Sequence, residues 1–561
     1  MNEPFYDEPT KTYHVSNPGA LAYLAALVNG TLDTDDVTTR AAVAADNLSG
    51  KTIVLECDID LNGVEWTPIG TSSNPFNGKF DGQGNTIRNL VITGNKSNVG
   101  IFGDTRNGEI KNLVVENAKV SGRLNVGVVA GNPYTSKYSN ITVKGHVEVN
   151  GMSYVGGVGG KNAYANWNNI KVDVDETSYV NANSVENGTA YRTYVGGVIG
   201  FMGEGGHTVS NVTSNINVKG STCDVGGIVG IAHYGNKFVN VSCNADVEIY
   251  AAGEEADAQE IGGIAGVWMN SSANEPVTFT NCTFEGELKA NDGYVINTKK
   301  FGNLVCAAYY ADGSGKLIID GVEYMQTKEG STINGATAVD GTAEGQETLK
   351  EKAAEGGDVI FVDDVTTTDT GSNGYGSTGI SVNGGTLDGN GHTLEVEGAN
   401  STWDSAIAIS NGTIKNITVA KGFRGIFVKA GDASKKIILE NVIIDGPTYT
   451  ISCDQASGQG LAAYNCTLNG WTSYAATIGN VYFEGCSFGE GAGYAFCRPY
   501  APTTFKNCEF EAGFRVDARA ACVFENCTLN GEALTASNIA TLVVSNLQNA
   551  IIGGEKIVAS G

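Results

Sequence analysis

The feature that limits this chain most is a short glycine motif that keeps returning. It appears as Asn98-Val99-Gly100-Ile101-Phe102-Gly103, Asn125-Val126-Gly127-Val128 and Tyr154-Val155-Gly156-Gly157-Val158, then as Tyr194-Val195-Gly196-Gly197-Val198, Asp224-Val225-Gly226-Gly227-Ile228 and Glu260-Ile261-Gly262-Gly263-Ile264. The leading apolar residue falls at 99, 126, 155, 195, 225 and 261, so the steps are 27, 29, 40, 30 and 36 residues. A unit this small cannot bury its own apolar residues and needs a neighbour stacked on it. A second signal travels with the first, an Asn followed by a β-former at Asn89, Asn112, Asn140, Asn169, Asn211, Asn240 and Asn281. Short Val/Ile/Phe runs cut by Gly and Asn read as strands and tight turns, and helical periodicity is missing. The pattern therefore predicts a parallel β-solenoid in which like residues superimpose every ~4.8 Å. The glycines would sit where φ is positive or where two backbones approach closely. The stacked Asn residues would form an amide ladder that supports a turn.

Together with Phe80-Asp81-Gly82-Gln83-Gly84-Asn85-Thr86-Ile87, these repeats resemble the GLUG-motif repeat proteins over roughly residues 50 to 325. The resemblance implies right-handed parallel β-helices of the pectin-lyase-like type. Such chains occur in secreted or surface-attached proteins of gut bacteria, as accessory segments of large bacterial proteases, and in phage fibre-like proteins. A fold of this kind does not fix an activity.

The expected fold class is all-β: two tandem right-handed parallel β-helix modules, each begun by a short N-terminal capping helix. Residues 1–50 hold an extended lead-in and the first helix, Pro18 to Asn29, with Asn17 as N-cap, Pro18 in the first turn and Gly30 as the stop. Leu21, Leu24, Leu27 and Val28 give it an apolar face suited to covering an open end of the repeats. Residues 51–325 form the first module. Residues 326–357 form a linker and a second helix from Gln346 to Glu355. At 358–561 the plan restarts: Asp358–Val365 matches the strand Thr52–Leu61, and Leu387-Asp388-Gly389-Asn390-Gly391 matches Phe80–Gly84. Asn416, Asn441, Asn465, Asn507 and Asn526 continue the second series, and Leu542 to Val558 reads as a closing cap.

A length of 561 residues exceeds one ordinary core unless the chain is a repeat protein. A net charge of −26 argues against nucleic acid and polyanionic partners. There is no run of 18 apolar residues and so no membrane insertion by a helix. The first eight residues are acidic and lack an apolar segment, unlike a signal peptide. That points to a mature chain, or to one made in a cytoplasm and carried outside by another route such as virion assembly. Of the twelve cysteines, Cys282, Cys466, Cys486, Cys508 and Cys527 recur in one strand context. They read as reduced, inward, stacked residues, and no zinc spacing is present.

Candidate ligand-binding residues follow each glycine motif: Tyr134 and Tyr138, Tyr164 and Trp167, His233 and Tyr234, and Trp268. If the repeats stack, these side chains form a row of rings and amides suited to sugar faces or protein, or else pack over the corners to shield them. In the second module Phe423-Arg424, Trp471, Tyr474, Tyr494, Arg498, Tyr500 and Arg519 cluster likewise, with Asp517 between Arg515 and Arg519 as alternating ion pairs or as part of a polar pocket. Asp454 and Asp517 on neighbouring repeats are the weak candidates for a glycosidase carboxyl pair. The Gly-His-Gly and Arg-Ile-Lys signatures of polygalacturonases are absent, and Gly391-His392-Thr393 belongs to a structural turn. Asp58/Asp60, Asp173/Asp175 and Asp363/Asp364 offer oxygen ligands for Ca²⁺ without a partner arginine at the first two pairs, and no other cofactor or metal is expected.

The expected function is a non-catalytic extracellular recognition or adhesion rod that binds glycans or a cell-surface receptor protein. It would sit on a bacterial surface or a virion. The alternatives are a phage fibre or virion structural protein, which would be a homo-oligomer such as a trimer, and a polysaccharide-cleaving hydrolase or lyase.

Overall fold

A computed structural model describes all residues except 1, 34–42, 163, 184, 187–188, 191–192, 204, 222, 251–259, 270–274, 291–295, 297, 299–300, 307–313, 328–329, 475–476 and 558–561. Among the described residues the chain is nearly all β, with 54% in strands and two α-helices. It divides into two units, Met1–Glu329 and Gly330–Gly561.

In the first unit each strand pairs with its counterpart one repeat later, in parallel. The register Val126↔Val155↔Val195↔Val225↔Ile261 links the leading apolar residues of the glycine motifs. A second ladder runs through Phe102–Arg106, Ala130–Tyr134, Gly159–Asn162, Ile199–Met202, Val229–His233 and Ala265–Met269. The third joins the long strands Glu109–Ser121 and Lys137–Gly151 to Asn166–Val174, Thr208–Ser214, Lys237–Cys243 and Val277–Phe284.

The glycines answer to close approach rather than to dihedral angle. None of the motif glycines from Gly156 to Gly263 has positive φ. A Cβ on Gly157, Gly197 or Gly227 would lie 2.1, 2.2 and 2.2 Å from the carbonyl oxygen of Gly197, Gly227 and Gly263, the same residue one repeat later. The left-handed turns are supplied by Asn instead, with φ between 51° and 58° at Asn89, Asn112, Asn140, Asn169, Asn211, Asn240 and Asn281. Asn tolerates that conformation because its short amide bonds locally. The amide ladder is present: Asn140 Nδ2 donates to Asn112 Oδ1 at 2.9 Å, Asn169 to Asn140 at 2.8 Å, Asn240 to Asn211 at 3.0 Å and Asn281 to Asn240 at 2.8 Å.

Helix α1 (Pro18–Asn29) has the expected ends: Asn17 Oδ1 accepts from the Ala20 amide at 2.9 Å, and Gly30 closes it at φ 71°. Its Leu21, Leu24 and Val28 are buried in the core with Ile53 and Leu55. The lead-in is not a single extended strand. Phe5–Asp7 and Thr12–Val15 form an antiparallel hairpin whose second strand pairs in parallel with Thr52–Leu55.

The second unit opens with a hairpin, Gly330–Ile333 and Ala336–Val339, turned by Asn334-Gly335 with both φ positive. That is Asn-Gly turn chemistry, inside the stretch expected to be a linker. Helix α2 (Ala343–Ala354) starts three residues earlier than expected, because Thr342 Oγ1 caps the Gly345 amide at 3.1 Å. Parallel ladders follow. Inward, the row Ile414, Leu439, Ala463, Phe483, Phe505, Phe524 stacks rings, with Phe483 and Phe505 at 5.3 Å and Phe505 and Phe524 at 5.0 Å. Cys466, Cys486, Cys508 and Cys527 are buried and free. Cys508 Sγ lies 3.5 Å from the Phe483 carbonyl and Cys527 Sγ 3.3 Å from that of Phe505, one repeat earlier. Among the described residues no helix is long and apolar enough to cross a membrane.

Five strands of this unit matter most below: β1 (Arg424–Val428), β2 (Tyr449–Ser452), β3 (Trp471–Tyr474), β4 (Phe496–Pro499) and β5 (Arg515–Asp517), paired in parallel in that order.

Candidate functional site

Each of these strands begins with a large side chain, and the register superimposes them: Arg424↔Tyr449↔Trp471↔Phe496↔Arg515. Alternation turns the next residues, Thr450, Thr472, Cys497 and Val516, into the interior, where all are buried. The first residues therefore share the outward face. Four strand steps make a column about 19 Å long.

Arg424 anchors one end. It is 4% exposed, and its guanidinium lies 4.3 Å from the Trp403 ring centroid and 4.4 Å from that of Tyr449. Its Nε donates to the Thr402 carbonyl at 2.8 Å and its Nη1 to Asp454 Oδ2 at 3.0 Å and to Ser452 Oγ. Burial lowers its pKa against the opposing pull of Asp454, but an arginine stays charged here. Trp403 continues outward to Tyr375, with centroids at 5.0 Å and Tyr375 56% exposed.

From Arg424 the column runs on through Tyr449, stacked on Trp471 at 4.9 Å and 19°. Trp471 then meets Tyr494 at 5.4 Å and the edge of Phe496 at 5.5 Å. Its indole N–H has no hydrogen-bond partner among the described residues. Arg498, two residues along β4, sits over both Phe496 at 5.1 Å and Trp471 at 5.6 Å. Asp517 is 3% exposed and receives Arg519 Nε at 2.8 Å, Arg498 Nε at 3.2 Å and Asn546 Nδ2 at 2.7 Å. Burial acts to raise its carboxyl, yet the bonds from Arg519 and Asn546 and the charge of Arg498 outweigh it and hold the pKa below the usual aspartate value. Tyr500 is 42% exposed, with Arg519 6.0 Å from its ring centroid. Tyr474 lies on β3, but its side chain falls outside the described residues.

The glycosidase pairing fails on this geometry. Asp454 follows β2 and Asp517 ends β5, three strand steps apart or about 14 Å. Carboxyl pairs in glycosidases are about 5–9.5 Å apart. Asp517 is also held ionised, which denies it the role of acid.

The first unit corrects several expectations. Tyr138 is 1% exposed, Trp167 0% and Trp268 0%. Tyr138 and Trp167 stack on each other at 4.1 Å inside the core, in the inward row Ile110, Tyr138, Trp167, Val209, Phe238, Phe279. None of these three rings can meet a ligand. The cause for Trp167 is the left-handed Asn169, which adds a residue between the inward Ile170 and the next inward position. Alternation counted through it would point Trp167 outward. Tyr134 and Tyr164 do reach the surface, 38% and 41% exposed, edge to face at 5.3 Å, with His207 5.4 Å from Tyr164. His233 and Tyr234 are half-buried, and His233 packs on Phe201 at 5.3 Å.

The acidic pairs weighed for Ca²⁺ are engaged by the chain itself. Contrary to expectation, Asp58 has an arginine, since Arg88 Nη2 donates to its Oδ2 at 2.6 Å. Asp60 takes the Asn89 amide at 2.9 Å, and Asp173 pairs with Lys171 at 2.6 Å. Asp175 accepts from Thr177 and Ser178, and Asp364 from the Thr393 amide.

Missed in the sequence were Tyr375, Trp403 and Tyr449, and the burial of Arg424. The spacing of 25, 22 and 25 residues from Arg424 through Tyr449 and Trp471 to Phe496 is a signal for Tyr449, and it says nothing of Tyr375 or Trp403.

No family model matches this chain, so the likeness to GLUG repeats rests on the residues themselves. A stretch of 152 residues is 32% identical to halomucin of Haloquadratum walsbyi (strain DSM 16790 / HBSQ001), covering 24% of this chain. The chain spans about 2% of the length of that curated relative. Among solved structures, a candidate immunoglobulin A1 protease from Bacteroides ovatus aligns with a TM-score of 0.32 and 16% identity, over 56% of this chain and 78% of that one.

Proposed function

We propose that this chain is a non-catalytic extracellular recognition protein that binds glycans along the outward aromatic column of its second unit. In this reading the ladders wind as two tandem right-handed parallel β-helix modules, each begun by its capping helix, and the ligand meets the outside of the second. The observation that carries it is the register Arg424↔Tyr449↔Trp471↔Phe496↔Arg515. It sets flat rings at the strand spacing, flanked by a second row in which Ser473 and Arg498 offer hydroxyl and guanidinium hydrogen bonds, while Ser452 in the same row is buried against Arg424 and Asp454. Sugar faces stack on such rings while their hydroxyls take the polar row. The match to a protein whose name is that of a mucin supports a place outside the cell.

The test is a printed glycan array probed with the full chain and with Trp471→Ala, alongside a melting curve of each. Binding by the parent chain that disappears in the variant, with cooperative melting retained, is the expected result. Equal binding by both proteins would overturn the assignment of the column.

A further inference from the structure

The second unit contains four arginines, Arg424, Arg498, Arg515 and Arg519, and all four stand on or beside the aromatic column. The carboxylates paired with them among the described residues are two, Asp454 and Asp517. Glu490 and Glu511, on the adjoining turns, pair with none of the four. Two guanidinium charges are therefore left over on one face of a chain whose net charge is −26. Arg515 ends the column in register with Phe496, is exposed, and has no ion pair to a described residue. Arg498 engages Asp517 through Nε, so its two Nη groups have no hydrogen bond to a described residue. Arginine presents a planar fork matched to a carboxylate, and it is the residue chosen for that recognition over lysine.

Building on the glycan reading above, we infer that the ligand of this column is an otherwise neutral oligosaccharide ending in a single carboxylated sugar, whose carboxylate docks on Arg498 and Arg515 beside the Trp471 platform. One charge is the number that the field of the chain supports. A polymer carrying a carboxylate on every sugar would gain two favourable contacts here and meet repulsion from the acidic surface on either side. A neutral glycan would use the rings and the polar row but give neither fork a carboxylate.

The experiment is calorimetric titration of the full chain with sialyllactose, lactose, trigalacturonate and hexaglutamate, repeated with Arg498→Ala/Arg515→Ala and with Arg498→Lys/Arg515→Lys. Asp517 keeps Arg519 and Asn546 in every variant, which protects the local fold. Sialyllactose is expected to bind about tenfold or more tighter than lactose, the worth of a charge-assisted pair. The alanine variant should bring the two to equal affinity, with sialyllactose losing at least about tenfold more than lactose, which forfeits only the hydrogen bonds that Arg498 gives its hydroxyls. The lysine variant should recover only part of the preference, because it keeps the charge and loses the fork. Equal affinity for sialyllactose and lactose in the parent chain would overturn the inference while leaving glycan recognition standing. Tighter binding of trigalacturonate would overturn the single-charge argument, and tighter binding of hexaglutamate would make the face a site for acidic peptide. Silence toward every saccharide here and on the array would remove the glycan reading itself.

Discussion

Substituting Gly197 by alanine tests the packing logic of the first unit at one of its close backbone approaches. The added Cβ would lie 2.2 Å from the Gly227 carbonyl oxygen and 3.2 Å from Val218 Cγ2, while ordinary contact begins at 3.4 Å. The carbonyl must retreat by more than 1 Å, and it belongs to a backbone ladder that cannot rotate aside as a side chain would. Overpacking a core costs about 1–3 kcal/mol, and a clash with fixed backbone belongs at the upper end. At roughly 2–4 °C per kcal/mol for a unit of this size, about 3 kcal/mol lowers the melting temperature by roughly 6–12 °C. Gly84→Ala is the control. Gly84 has φ +80° and nothing within 4 Å, so alanine there meets only left-handed strain, about 1–2 kcal/mol. Melting followed by far-UV circular dichroism should rank parent, Gly84→Ala, then Gly197→Ala. If Gly197→Ala melts at or above Gly84→Ala, close approach is not why glycine stands in the repeats.

Asn240→Ala removes the bonds to Asn211 and from Asn281 and leaves alanine at φ 54°. A loss of about 2–4 kcal/mol, read from the urea midpoint, is expected, with Asn240→Gly recovering the strain part of it. The seven thiols of the second unit are buried, and burial pushes Cys522 up to about 12. Iodoacetamide followed by peptide mass mapping should label exposed Cys57 in the native protein and those seven only in denaturant. Asp517→Asn should lower the melting temperature at neutral pH. The folded carboxyl titrates below the unfolded one, so its contribution is full above the ordinary aspartate pKa of about 3.9 and is lost as pH falls through the folded value. The gap between variant and parent should therefore close under acid, and a gap that widens there would contradict the pairing.

Much of the fold was legible because parallel stacking repeats its chemistry at each step. The Val–Gly–Gly leads at 126, 155, 195, 225 and 261 are the residues that pair in register, and the Asn series is the amide ladder. Helix α1 could be read because Asn17, Pro18 and Gly30 each act locally. What escaped depends on dihedral angles and on counting across repeats. Of the two roles open to the motif glycines only close approach holds, and the positive φ falls to the Asn residues, which turn the chain with φ near 54°. That same left-handed Asn shifts the alternation and carries Trp167 and Tyr138 inward. In the second unit Trp471, Arg498 and Arg519 were visible as a local cluster. Trp403 and Tyr449 join them, and Arg424 takes its buried place among them, only through strand pairing, over repeats of unequal length. Asp454 and Asp517 looked adjacent for want of that count.

The central claim is that successive repeats lie in register and so place Arg424, Tyr449, Trp471, Phe496 and Arg515 in one outward row. Cysteine pairs measure this directly. In Trp471→Cys/Phe496→Cys the two Cα atoms stand across one strand step, within the 4.4–6.8 Å that a disulfide spans. In Trp471→Cys/Arg498→Cys they are offset by two residues, beyond comfortable reach. After mild oxidation, intact mass and peptide mapping should show the bridge in the first protein and free thiols in the second. A bridge in the second and none in the first would place the rows out of register and dissolve the binding face.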